Sequence, residues 1–184
     1  MTAERNDVTI AAIHGNSPRI HSSAFIAPGC RIIGNVEIGP DVSIWYNCVI
    51  RADVNRIVIG ARSNIQDGSV LHVSHDSEFA PGGFALHIGA DITVGHKAIL
   101  HGCRIEDRCL IGMAATVMDG AVVRSGAIVG AGSLVPPGHD LEGGYLWVGS
   151  PARKVRPLRK QEAAFLDYSA AHYVELKNRH LAVR

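Results

Sequence analysis

The chain has 184 residues, 47% of them hydrophobic, enough for one domain with an appendage and a buried core. Only 19% are charged and the formal net charge is +1, which excludes a basic nucleic-acid-binding surface and an acidic disordered tail. No run approaches the roughly 20 apolar residues of a membrane span. The first residues carry no apolar stretch of a secretory signal. The expectation is a cytoplasmic protein with Cys30, Cys48, Cys103 and Cys109 reduced.

From Ile20 onward the chain repeats. Steps of six lead through Ile26, Ile32, Ile38, Ile44 and Ile50. After a three-residue slip come Ile59, Ile65 and Leu71, and after a longer interruption Ile88, Val94 and Leu100. A five-residue step then leads to Ile105, Ile111, Val117, Val123, Val129 and Val135. The fourth residue after each is mostly small, and Gly, Asn and Asp fill the slots between, where tight corners are needed. A six-residue unit of strand and corner cannot bury its aliphatic residue alone. Three units close one triangular turn, and stacked turns share a narrow interior. Cys30, Cys48 and Cys109 fall in the small inward slot. A helix is excluded, because a period of six with repeated glycine fits no 3.6-residue turn.

This pattern resembles the hexapeptide-repeat, left-handed parallel β-helix proteins, and Gly149–Arg153 looks like their exit motif. The resemblance implies an all-β solenoid with a C-terminal α-helix; the handedness comes from it alone. The expected segments are a β-helix over 1–156, with coils at about 20–140, and a helix over 157–184. Phe165, Tyr168, His172, Tyr173 and Leu176 recur at helical spacing, with Pro157 placed in the first turn. That helix is expected to pack on the prism or on a neighbouring subunit.

Function is sought in the interruptions, because the repeats themselves are structural. The longest, between Leu71 and Ile88, is expected to form an extruded loop. His72 follows Leu71 and His101 follows Leu100, so both imidazoles point outward. They are 29 residues apart, one 18-residue turn plus an eleven-residue insertion. With the insertion looped out, they stack one coil apart, at about 4.8 Å, where one metal ion can bridge them. His96 follows Val94 by two, near a corner, and reaches such an ion only from a neighbouring subunit. Three neutral imidazoles with an open position suit a catalytic divalent metal. The alternative is three solvated surface histidines. Cys103 is either an extra thiolate ligand or an interior residue.

Arg51-Ala52-Asp53, the run Asn64–His72 and the run Val94–Cys103 closely resemble the gamma-class carbonic anhydrases. The resemblance implies hydration of carbon dioxide to bicarbonate by a metal-bound hydroxide at a homotrimer interface. His72, His96 and His101 are the implied ligands, with zinc first and iron or cobalt as options. It also implies interface pairing for Arg51 and Asp53, and water or substrate positioning for Asn64 and Gln66. Tyr173 is implied at the site, or is an ordinary contact between helix and prism. One departure stands out: Val54 occupies a place where the family carries a proton-moving glutamate, and the loop is short, with only Asp76 and Glu78 as substitutes. The competing readings are a coenzyme-A acyltransferase or thioesterase, and a non-catalytic metal-binding trimer.

Overall fold

The computed structural model describes residues 7–183; the ends of the two expected segments, 1–6 and 184, lie outside them. The chain winds as a parallel β-solenoid of about eight turns, closed by a C-terminal helix. Its strands form three faces. Face A stacks Phe25–Ile26, Ser43–Ile44, Asn64–Ile65, Thr93–Val94, Leu110–Ile111 and Ile128–Val129. Face B takes the first parts of Arg31–Ile38 and Val49–Ile59, then Val70–His72, Ile99–His101, Thr116–Val117 and Leu134–Val135. Face C takes the last parts of the same two long strands, then Leu86–Ile88, Arg104–Ile105, Val122–Val123 and Asp140–Leu141.

The period-six series is the core. On face B the partners run Ile32, Ile50, Leu71, Leu100, Val117 and Val135, each buried and in register with the next. Equivalent ladders run from Ile44 to Val129 on face A and from Ile38 to Leu141 on face C. All four cysteines are free and buried. Cys103 is therefore interior, and burial pushes its thiol above the ordinary value. Coils approach most closely where the corner lacks a side chain. A Cβ on Gly95 would stand 2.7 Å from the Met113 nitrogen of the next coil.

Both interruptions leave the ladders intact. In the first, Ala52 pairs with Gly34 and Ile57 with Val36, so Asp53–Arg56 bulge opposite the single residue Asn35. In the second, the extra residues leave the prism as a loop closed by antiparallel bridges Ser74–Phe84 and Ser77–Ala80. Phe79 is fully exposed at its tip.

The expected C-terminal helix is present and packs on the prism, but where it starts and which face it buries differ from expectation. Within Gly149–Arg153, Ser150 and Pro151 turn an antiparallel hairpin, Tyr145–Gly149 with Ala152–Pro157, which continues face A. Pro157 ends the second, edge strand, where its missing N–H costs no ladder bond. The helix, α1, spans Lys160–Ala182 and is capped at Arg159. Glu162 accepts a hydrogen bond from the Arg159 nitrogen at 2.8 Å. The face turned inward is also different: Leu166, Ser169, Ala170 and Lys177 are buried, whereas Phe165 and Tyr168 are exposed. Small residues let the helix approach face A closely enough for Ser169 Oγ to meet Thr93 Oγ1 at 2.8 Å. The Lys177 ammonium, 2% exposed, clamps the far end to Asp41 at 2.9 Å.

Candidate metal centre

His72 and His101 end the neighbouring face B strands Val70–His72 and Ile99–His101 and are direct partners in the ladder. Their inward neighbours Leu71 and Leu100 are buried, so strand alternation turns both imidazoles out on the same side. The ring centroids are 5.0 Å apart, and His72 Nδ1 lies 3.0 Å from His101 Nε2.

The opposite nitrogen of each ring faces a carboxylate. His101 Nδ1 is 2.7 Å from Asp119 Oδ1, and His72 Nε2 is 3.1 Å from Asp53 Oδ1. A carboxylate only accepts, so each ring donates its proton to the acid and turns a lone pair toward the other ring. Two acceptors facing one another at 3.0 Å need a cation or a shared proton between them. Nitrogens each about 2.0–2.1 Å from one tetrahedral ion stand roughly 3.3 Å apart, so the donor pair fits a divalent metal with little adjustment. Burial pushes the His72 imidazole below its ordinary value, the Asp53 hydrogen bond offsetting part of it, which favours the neutral ligand form. Burial also opposes charge on Asp53, but hydrogen bonds from Arg51 and His72 outweigh it and hold its carboxyl low. Arg51, expected at an interface, bonds Asp53 of its own chain.

His96 stands elsewhere, at the corner that follows Thr93–Val94 on face A. It too has a carboxylate behind it: Nδ1 is 2.8 Å from Asp67 Oδ2. Among the described residues these three histidines alone contact a carboxylate. No three ligand-type side chains of the described residues gather into a metal cage within the single chain.

Around His96 the structure assembles the remaining expected residues. Gln66 is almost fully buried and donates from Nε2 to Asn64 Oδ1 at 3.1 Å. Asn64 in turn donates to Thr93 Oγ1 at 3.0 Å and to the Ile92 carbonyl at 3.2 Å. Gln66, His96 and Tyr173 line a cleft of about 450 Å³ between α1 and face A, walled by Leu110, Met113 and Ile128. Tyr173 also packs edge-on against Trp45, with ring centroids 5.6 Å apart, so it is both a contact between helix and prism and part of the cleft. Burial, then the nearby Asp67 charge, pushes its phenol pKa up, and it remains a hydrogen-bond donor. Val54 is half-exposed on the bulge beside Asp53.

The structure therefore brings the expected residues into two groups: His72 and His101 with Asp53 and Arg51, and His96 with Gln66, Asn64 and Tyr173. Sequence reasoning missed Asp67, Asp119 and Ser74, whose hydroxyl donates to Asp119 Oδ2 at 3.1 Å. A signal existed: Asp119 lies one 18-residue coil after His101, and Asp67 lies the same 29 residues before His96 that separate His72 from His101.

Residues 17–52 match the family described as bacterial transferase hexapeptide (six repeats). The mitochondrial gamma carbonic anhydrase 1 of Arabidopsis thaliana is 42% identical over 174 residues, covering 95% of this chain and 63% of that protein. A probable carbonic anhydrase of Methanocaldococcus jannaschii is 46% identical over 157 residues, covering 85% of this chain and 94% of that one. The chain belongs to the gamma-class carbonic anhydrase family. A solved structure of this shape, described as a putative acetyltransferase from Bacillus cereus, is 37% identical, with a TM-score of 0.90 over 97% of this chain and 99% of that one. The solenoid is thus shared by proteins that carry carbonic anhydrase descriptions and proteins that carry transferase descriptions.

Proposed function

We propose that the chain catalyses the reversible hydration of carbon dioxide to bicarbonate, with a divalent metal held between subunits of a homotrimer. The observation that carries this reading is the convergence of the His72 Nδ1 and His101 Nε2 lone pairs, each ring backed by a carboxylate. His72 and His101 of one subunit, with His96 of the next, would hold the ion, zinc before iron or cobalt. When bound, the ion supplies Lewis acidity and brings the pKa of a water near 7. Exposed Val70 and Ile99 beside the histidine pair support burial of face B against another subunit. The four buried free thiols support a reducing compartment such as the cytoplasm.

The chain's own residues orient and exclude. Asn64, tied to Thr93 and Ile92, fixes the Gln66 carboxamide and leaves its oxygen free to accept an O–H from the attacking water. Tyr173 closes the wall of the cleft, and Leu110, Met113 and Ile128 keep it apolar around a nonpolar substrate. The proton released in each cycle has no carboxylate at position 54 to take it. His75, Asp76 and Glu78 on the extruded loop are the local substitutes, and Asp76 already accepts from the Gly82 nitrogen at 2.7 Å.

The cleft favours a second reading. A triatomic substrate needs space on the order of the 30 Å³ of a water. The 450 Å³ cleft lies within the range of about 300–1,000 Å³ that suits larger organic ligands. Acyl transfer from, or hydrolysis of, a coenzyme-A thioester would use that space, with His96 as general base.

Protein purified without chelator or histidine tag is expected to be trimeric by light scattering and to carry stoichiometric metal. Its hydration turnover, measured by stopped flow, should rise with imidazole concentration at fixed pH, while the second-order rate for carbon dioxide stays constant. A positioned proton-transfer group contributes about 10²–10⁴-fold, so the buffer effect should be large. Absence of hydration with zinc, cobalt and anaerobically loaded iron would overturn the first reading in favour of the second.

A further inference from the structure

We infer that Asp119 is a positioning residue that fixes the tautomer and ring plane of His101, and that Ser74 and Gly102 hold Asp119 in place to do so. This rests on the metal-site reading above. Asp119 starts from the next coil, after the strand Thr116–Val117, and turns back over the corner at Gly102. Its two oxygens are divided between two tasks: Oδ1 accepts from His101 Nδ1 at 2.7 Å, and Oδ2 accepts from Ser74 Oγ at 3.1 Å. Ser74 is itself pinned at the base of the extruded loop, where its carbonyl accepts from the Phe84 nitrogen at 3.0 Å and from Asn55 Nδ2 at 2.9 Å.

Gly102 supplies an independent observation. Its φ is +51°, a conformation that suits glycine. A Cβ there would collide with Asp119 Oδ1, and would also sit 2.6 Å from Phe84 Cβ. The residue next to His101 thus lacks a side chain at the place where the carboxylate oxygen lies. The path for the Asp119 carboxylate is built by glycine on one side and by the loop base on the other.

The consequence is chemical. With Nδ1–H held by Asp119, His101 presents Nε2 as a lone pair in a fixed plane. Without the acid, the imidazole is free to take the other tautomer, in which Nε2 carries the hydrogen and cannot ligate. Carboxylates behind metal-binding histidines commonly contribute about 10–100-fold to metal affinity. Asp53 and Asp67 stand in the same relation to His72 and His96, but Asp53 also serves Arg51, and the Asp67–His96 pair is half-exposed. Asp119 is the cleanest of the three to test.

The test compares the parent with Asp119→Asn, Ser74→Ala and Gly102→Ala. In metal-free protein, nitrogen-15 NMR of the histidine rings should show His101 Nδ1 fully protonated in the parent, whichever ring holds the proton shared between His72 Nδ1 and His101 Nε2. Partial protonation of Nδ1 is expected in Asp119→Asn and Gly102→Ala, and an intermediate result in Ser74→Ala. In cobalt titrations the Asn variant should bind about 10–100-fold more weakly, with an altered visible spectrum. Parent-like thermal melting would show that the prism is intact. Parent-like Nδ1 protonation and cobalt affinity in Asp119→Asn overturns the inference. A fully protonated Nδ1 in a parent that binds no metal sustains the positioning role and instead overturns the metal-site reading.

Discussion

The coils from Arg104 to Leu141 and those from Val49 to His101 share one aliphatic ladder, yet they differ in what they present to solvent. The upper coils step by six without a break. Their outward residues form exposed ion pairs such as Arg124 with Glu106 and Asp140, which are worth little to stability. The lower coils carry both insertions and all three carboxylate-backed histidines. The difference teaches that the uninterrupted repeats supply packing, the wall of the cleft and one supporting carboxylate, Asp119, but none of the three histidines. An insertion that leaves the inward ladder in register is what frees neighbouring outward positions to converge.

The sharpest way to break this division is to damage the ladder itself, beneath the wall of the cleft. Ile111 is fully buried between Val94 and Val129. Ile111→Ala should cost about 2–5 kcal/mol, because the rigid stack cannot collapse into the cavity. Chemical denaturation would measure it. Stability close to the parent would mean that the interior is not the shared core described here.

The converse change touches the site and spares the ladder. His72→Ala, His96→Ala and His101→Ala should each lose most bound metal while shifting metal-free stability by less than about 1 kcal/mol, since the rings stand on the outer surface of the prism. Elemental analysis and denaturation of the same samples check both halves. Retention of stoichiometric metal by the triple variant would remove the site assignment. Loss of fold by any single variant would remove the separation between ladder and site.

Legibility followed the same division. The inward ladder was readable because a six-residue period needs only local counting, and every position in the series from Ile32 onward is buried. The meeting of His72 and His101 was readable because 29 is one coil plus an eleven-residue loop. Their carboxylate partners were passed over because an aspartate at a corner is also what a tight turn asks for; position 119 was legible only when stacked against 101. The buried face of the helix is not legible from hydrophobic spacing, for a different reason. Its true stripe is Leu166, Ser169, Ala170, Tyr173 and Lys177, and a hydrophobic count discards the serine and the lysine. Close approach of α1 to face A selects small residues, and Lys177 is buried because Asp41 meets it. The hairpin at 145–157 was hidden because its register runs antiparallel, outside the period of six.

The smallest expected effect concerns the junction between prism and helix. Arg156 grips Glu162 with two bonds of 2.7 Å, and the Arg159 nitrogen adds a third at 2.8 Å. The Arg156 hydrogen bonds, reinforced by that of the Arg159 nitrogen, pull the Glu162 carboxyl down to about 2. An ordinary glutamate titrates near roughly 4.3, so the folded state favours the ionised form. That contribution is complete above the ordinary glutamate range and fades as pH falls toward 2. Glu162→Gln should therefore be slightly less stable than the parent near neutrality and lose that deficit in acid, and salt should shrink the gap, because the pair faces solvent. Thermal melts followed by far-ultraviolet circular dichroism, on parent and variant across the acid range, measure it. A gap that stayed constant with pH would mean that the cap holds by shape and hydrogen bonding alone, without the charge.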